Sequence, residues 1–305
     1  MEGNRLSIAR GMTKIENEET DYVQLLSDLY NKTGSAYRLG ITGPPGSGKS
    51  TLTNHLTKKL RKEGYKVGII AVDPTSPFTG GAILGDRVRM NDLVLDKGVF
   101  IRSMATRGSS GGLARQAGEL ADVLDAAGYD YVIYETVGVG QVELDIAEAA
   151  DTTIVLIVPE SGDIIQSLKS GLMEIADVFV LNKSDRPGAD RMQKDLEYVL
   201  HLREANHKWH PQVFQTVANR GTGIDELWIE IKNHRSFLET EELLLKKRDK
   251  RLKNRIETII RQKIEIHFWN DNRKKVLKSY LENEKENISP YLLAERMLEK
   301  LLKTL

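Results

Sequence analysis

No cysteine occurs among the 305 residues, which removes disulfides, thiolate nucleophiles and cysteine-ligated metals from consideration. An excess of charge of one sign is missing too. The 44 Lys and Arg cancel 44 Asp and Glu, so no global field draws the chain to nucleic acid or to an anionic membrane. The six histidines are scattered without convincing ligand spacing, and His207 and His210 in "NHKWHP" read as surface or structural residues. Long apolar runs are lacking. Stretches such as "TTIVLIV" are far too short to span a bilayer, and "MEGNRLSIARGMTKIENEE" has no apolar core of a signal peptide. These absences lead to the expectation of a soluble cytoplasmic protein with neither nucleic acid nor membrane as partner. Its length allows one large core, or one core with a helical appendage.

What is present has a clear order. Leu6, Ile8 and Met12, then Tyr22, Leu25, Leu26 and Leu29, recur at helical spacing. From Arg38 onward short apolar runs alternate with amphipathic helices. The runs "YRLGIT", "KVGIIAV", "GVFIRSM", "DYVIYET", "TTIVLIV", "DVFVLN" and "QVFQTV" read as strands of a mostly parallel sheet covered on both faces. Beyond about Ser236 the period is helical again. Leu252, Ile256, Ile259, Ile260, Ile264 and Phe268 form one stripe ringed by Lys and Arg, which makes "KKRDKRLKNR" a packed helical face rather than a polyanion site. The organisation expected is a helical extension over 1–36, an α/β domain over 37–236 and a helical arm over 237–305.

The sharpest motif is "GITGPPGSGKSTL", in which Gly43, Gly48, Lys49 and Ser50 fit G-x-x-x-x-G-K-[ST] between a strand and a helix. Glycines let the backbone curl so that its N–H groups face phosphate oxygens, at a helix N-terminus that already favours anions. Gly43, Gly46, Ser47, Gly48 and Thr51 belong to this cradle. Lys49 would pair with the β and γ phosphates, and Ser50 would ligate Mg²⁺.

"VLNKSD" then places Asn182, Lys183 and Asp185 after an apolar strand, at the end where open α/β sheets bind ligands. A carboxylate at Asp185 accepts from two donors at once, which matches guanine's ring N–H and exocyclic amine and discriminates against adenine. "TVANRGTGIDEL" follows, with Val217 and Ala218 able to offer backbone contact to the guanine carbonyl.

A third landmark is "YVIYETVGVGQ". Its strand ends at Glu135, where an acid can hold Mg²⁺ through water, and the Gly138 N–H can reach the γ phosphate. "AVDPTSPFTGGAILGDRVRM" adds two more acids. Asp73 ends the strand after the P-loop helix, and Asp86 lies on a glycine-bearing segment. Both offer hard oxygen ligands to magnesium. The alternative is that Asp73 caps a turn before Pro74 and that Asp86 is solvated.

These stretches, with "FIRSMATRGSSGGLA", "ETVGVGQ", "PESGDIIQSLKSGLMEIADVFVLNKSD", "RLSIARGMTKIENE" and the tail "SPYLLAERMLEKLL", resemble the MeaB/ArgK family over nearly the whole chain. The resemblance implies a P-loop GTPase fold with GTP or GDP and Mg²⁺. It implies that Lys49 and Ser50 bind phosphate and metal, and that Asp73, Asp86 and Glu135 organise the metal and the hydrolytic water. Asp163 and Lys169 match the polar positions of a further switch, "ESGDIIQSLK". The family acts as GTPase chaperones of adenosylcobalamin-dependent acyl-CoA mutases, so the implied partners are such a mutase, a cobalamin adenosyltransferase and a second copy joined through the C-terminal arm. Competing readings are a nickel-delivery GTPase, against which the missing cysteines count, and a regulatory GTP-binding module with little turnover.

Overall fold

A computed structural model describes residues 4–73, 91–105, 112–136, 138, 142–159, 171–202, 208–283 and 289–302. Among the described residues seven strands form: β1 (Tyr37–Thr42), β2 (Val67–Asp73), β3 (Val99–Ala105), β4 (Tyr131–Thr136), β5 (Thr152–Ile157), β6 (Val178–Asn182) and β7 (Val213–Thr216). They correspond to the seven apolar runs read from the sequence. Every pairing is parallel, and the order across the sheet is β3-β2-β4-β1-β5-β6-β7. Every residue of β4, β5 and β6 is buried, as expected of strands covered on both faces.

Adjacent residues of β2 show how the layers separate. Val67 and Ile69 join Leu52, Leu56 and Leu60 of α3 (Lys49–Lys62) and Trp228 and Ile231 of α9 (Ile224–Thr240) on one face. Ile70 and Val72 join Ile8, Met12 and Ile15 of α1 (Arg5–Glu16), together with Leu120 and Leu124 of α5 (Gly112–Ala126), on the other. Side chains alternate along a strand, so both faces need apolar partners. The amino-terminal helices, α1 and α2 (Tyr22–Tyr30), thus cover one face of the sheet through α5. Two shorter helices complete this part: α4 (Asn91–Val94) before β3, and α6 (Val142–Ala149) after β4. Beyond β5, α7 (Leu172–Ile175) and α8 (Ala189–His201) pack Leu172, Met173, Met192 and Leu196 against Val155, Phe179 and Leu181.

The chain divides into two compact units, Met1–Arg248 and Asp249–Leu305. The second contains most of α10 (Leu243–Phe268), followed by α11 (Asp271–Asn283) and α12 (Pro290–Leu302). Its stripe residues Leu252, Ile256, Ile260 and Ile264 are exposed within the chain. No described helix is long and apolar enough to cross a membrane.

Candidate nucleotide site

The carboxyl ends of β1, β4, β6 and β7 carry the predicted residues. After Thr42 the chain turns through Gly43 and enters α3 at Gly48, whose φ of 95° lies in the left-handed region. A Cβ on Gly48 would overlap the Asn182 amide nitrogen, so both backbone conformation and close approach require glycine there. Lys49 is buried, and its ammonium donates to the Gly43 and Pro44 carbonyls at 2.8 and 3.0 Å. The lysine is therefore curled over the loop whose backbone it follows.

Parallel register brings the second strand to the same place. Glu135 of β4 lies opposite Ile41 of β1 and Ala71 of β2. It is buried, and the Ser50 hydroxyl donates to its Oε1. Gly138, at φ 91°, approaches so closely that a Cβ would overlap the Gly43 carbonyl oxygen and stand 2.7 Å from Lys49 Nζ. Thr136 Oγ1 donates to Thr42 Oγ1 at 3.0 Å, closing the strand ends together. Gly43, Lys49, Ser50, Glu135 and Gly138 thus meet within one cluster. Asp73 ends β2 two positions beyond the register partner of Glu135. Its side chain, Asp86, and the pair Asp163 and Lys169 lie outside the described residues. Among the described residues, no group of three or more His, Asp or Glu is arranged to hold a metal.

Next to this cluster is a cavity of about 150 Å³ lined by Gly48, Thr51, Asn182, Lys183, Asp185, Ala218 and two neighbours. Asn182 organises it. Its Nδ2 donates to the Ser47 carbonyl at 2.7 Å, while its Oδ1 accepts from Thr216 Oγ1 and the Ala218 N–H, both at 3.0 Å. One buried amide therefore ties the phosphate loop, β6 and the β7 loop together. Losing it would leave several buried groups unsatisfied, each at a cost of about 1–3 kcal/mol. Lys183 holds φ at 58°, uncommon for a residue with a side chain and a form of local strain that gathers at ligand sites. Asp185 is exposed, with Arg220 at 3.7 Å, an ion-pair distance too long for a hydrogen bond. Val217 is buried and bridges to Thr222.

Sequence reading had not singled out Glu143, on the first turn of α6. It is buried. Burial pushes its carboxyl above the usual range, and the nearby Lys49 charge pulls it part of the way back. Nothing in the spacing of "GQVELD" announces this, because the proximity to Lys49 arises only when α6 folds back over the sheet.

The chain is similar to known proteins over most of its length. Residues 8–273 match the family model described as methylmalonyl-CoA mutase-associated GTPase MeaB. A protein of Pyrococcus abyssi that carries a GTPase name is 48% identical, over 98% of this chain and 94% of its own. The GTPase ArgK of Escherichia coli is 42% identical over 78% and 74%, and the mouse methylmalonic aciduria type A homologue, named as mitochondrial, is 32% identical over 88% and 69%. A crystal structure described as an LAO/AO transport system kinase covers 99% of this chain and 94% of its own, at 30% identity and a TM-score of 0.75. The chain is a GTPase and belongs to the MeaB family of methylmalonyl-CoA mutase-associated GTPases.

Proposed function

We propose that this GTPase works in the cytoplasm as a chaperone of an adenosylcobalamin-dependent acyl-CoA mutase, with GTP turnover gating the loading or protection of the mutase cofactor. The partner reading is supported by the family description and by the name of the mouse relative. The chemical reading rests on one observation, the meeting of Lys49, Ser50, Glu135 and Gly138 beside a cavity that Asp185 lines.

In this reading the backbone of Gly43, Gly46, Ser47 and Gly48 receives phosphate oxygens, with Thr51 following on α3. Lys49 exchanges the Gly43 and Pro44 carbonyls for β and γ oxygens, which are better acceptors because they are charged. Asn182 and Lys183 shape the base pocket, Asp185 accepts from guanine, and the backbone at Val217 and Ala218 meets the guanine carbonyl. The donor set near Ser50 fits magnesium, since a hydroxyl and a carboxylate already stand within hydrogen-bond reach and both are hard oxygen ligands. Ser50 and Glu135 would hold the ion with Asp73 and Asp86, and it would supply charge neutralisation on the phosphates. The chain's own contribution is to orient the triphosphate and to aim donors where negative charge develops.

Two further partners belong to the proposal. A cobalamin adenosyltransferase would hand cofactor to the complex, which copurification tests. A second copy would pair through the exposed stripe of α10, because a single apolar face on a long helix needs a partner surface. Sedimentation of full-length Ile256→Glu should show weaker self-association, and an unchanged oligomeric state would remove that idea.

The central test is single-turnover GTP hydrolysis with and without a cognate mutase, at saturating nucleotide and magnesium. The mutase should change the rate of the unmodified protein. Asp73→Ala should lower the basal rate because that residue ends a rigid strand, whereas Asp86→Ala should blunt the response to the mutase. A rate indifferent to the mutase, with no complex formed, would sink the partner reading. Unmodified rates in both variants would withdraw the metal roles of the two aspartates.

A further inference from the structure

The first turn of α6 brings a carboxylate to the phosphate loop. Ile146 of α6 and Ala150, just past its end, pack over Gly40 of β1, where a Cβ would stand 3.3 and 3.1 Å from them. The Asp151 N–H then donates to the Arg38 carbonyl at 2.7 Å, so α6 runs antiparallel to β1, with its start above the strand's carboxyl end. Glu143 lies three residues before Ile146 and four before Ala147, on the same buried face. Three helical residues advance about 4.5 Å, which carries Glu143 from the level of Gly40 to that of Ile41 and Thr42, next to the start of the loop at Gly43. There Gly138 already abuts the Gly43 carbonyl and the Lys49 ammonium. Lys49 is also the charged group that acts on the Glu143 carboxylate.

We propose that Glu143 is a positioning residue for Lys49, and that it sets the preference of the site between nucleoside triphosphate and diphosphate. This rests on the P-loop reading of the site. Before nucleotide binds, the carboxylate supplies the countercharge that lets a buried ammonium remain ionised. A nucleotide based in the cavity at Asn182 and Asp185 extends its phosphates along the loop toward Gly138 and α6. The phosphate farthest from the base is then the one nearest Glu143. When that phosphate takes Lys49, a buried carboxylate is left facing like charge at low effective dielectric. The diphosphate ends sooner and meets less of it. Glu143 therefore weakens the triphosphate complex more than the diphosphate complex, and favours the forward direction of hydrolysis by raising the ground state that is consumed.

The experiment measures dissociation constants of GDP and of a non-hydrolysable GTP analogue for the full-length protein and its variants at fixed magnesium. Glu143→Gln should tighten the analogue by about tenfold and GDP by under about threefold. Glu143→Met, neutral and of similar volume, should change the ratio in the same direction, and Glu143→Asp, which keeps the charge, should stay near the unmodified ratio. The ratio is the readout, because a loss of packing alone would move both affinities together. A ratio unchanged in whichever neutral variant folds would overturn the proposal. Lys49→Ala separates it from the reading on which it rests. Loss of both nucleotides supports the phosphate loop, and unmodified affinity for both would sink the loop assignment whatever Glu143 does.

Discussion

The two ends of the sheet both bury polar side chains, and they use them differently. At the amino ends of the strands, the Tyr37 hydroxyl and Thr152 Oγ1 share a hydrogen bond of 2.6 Å, and Thr152 Oγ1 lies 2.8 Å from His234 Nδ1. His234 Nε2 faces Asp177 at 3.4 Å, and Asp177 accepts from the Thr153 N–H and pairs with Lys247. Asp151 accepts from the Arg38 N–H and from Arg248. Each group is answered by another fixed protein group. At the carboxyl ends, Lys49 rests on two carbonyls of its own loop, Ser50 on Glu135, and Asp185 on a distant Arg220. Those partners are ones that a phosphate, a metal or a base can replace. Burial of polarity by itself does not mark a site. What marks it is that the hydrogen bonds can be exchanged for better ones, beside glycines that admit close approach.

The comparison is sharpest if it is broken at Gly138. Gly138→Ala would place a methyl group onto the Gly43 carbonyl and beside Lys49 Nζ, at a positive φ as well. GTP turnover should fall by about a hundredfold or more, equivalent to roughly 3 kcal/mol of transition-state stabilisation, beyond the modest loss of thermal stability that the strained position itself brings. Near-normal hydrolysis in a folded variant would mean the close approach has no part in turnover.

Asp185→Asn tests the base pocket at the same end of the sheet. It should weaken GTP by about tenfold to a hundredfold and bring xanthine nucleotide into preference, since the exocyclic carbonyl of xanthine calls for a donor. Affinities for GTP, ATP and XTP decide it. Equal binding of ATP and GTP by the unmodified protein would remove the guanine assignment.

The amino end should respond in stability alone. Burial holds the His234 imidazole below its usual value of 6.5, with Asp177 opposing that shift. The unfolded chain therefore takes up the proton at a higher pH than the folded one. Its contribution to stability is present above about 6.5 and is lost as pH falls through the folded-state value. His234→Gln should lower the melting temperature at pH 7.5 by an amount matching about 1–2 kcal/mol, and the gap to the unmodified protein should narrow as pH falls below about 6.5. GTP affinity should be unchanged throughout. A gap that is constant with pH would show that His234 does not titrate in this window, and a change in GTP affinity would erase the division between the two ends.

Much of this was legible in the amino acids. The seven strands announced themselves as apolar runs between helical stretches, because a strand covered on both faces is apolar at most positions, with polar residues such as Thr152 and Glu135 near its ends. The phosphate loop was legible because its demands are local: Gly48 must reach the left-handed region, and Lys49 and Ser50 follow it directly in the chain. Asn182 was recognised as part of a base-reading motif, but not as the amide that holds Ser47, Thr216 and Ala218 together, since those residues come from separate parts of the sequence. Glu143 was not legible at all, and neither was the closed network around His234. The sequence by itself determined the sheet, the loop that cradles phosphate and the family, all of which depend on neighbours along the chain. Only the tertiary structure decided which charges face one another. Coulomb and desolvation energies depend on distances through space and on burial, and the packing of α6 over β1 and of α9 against the strand starts is what set both.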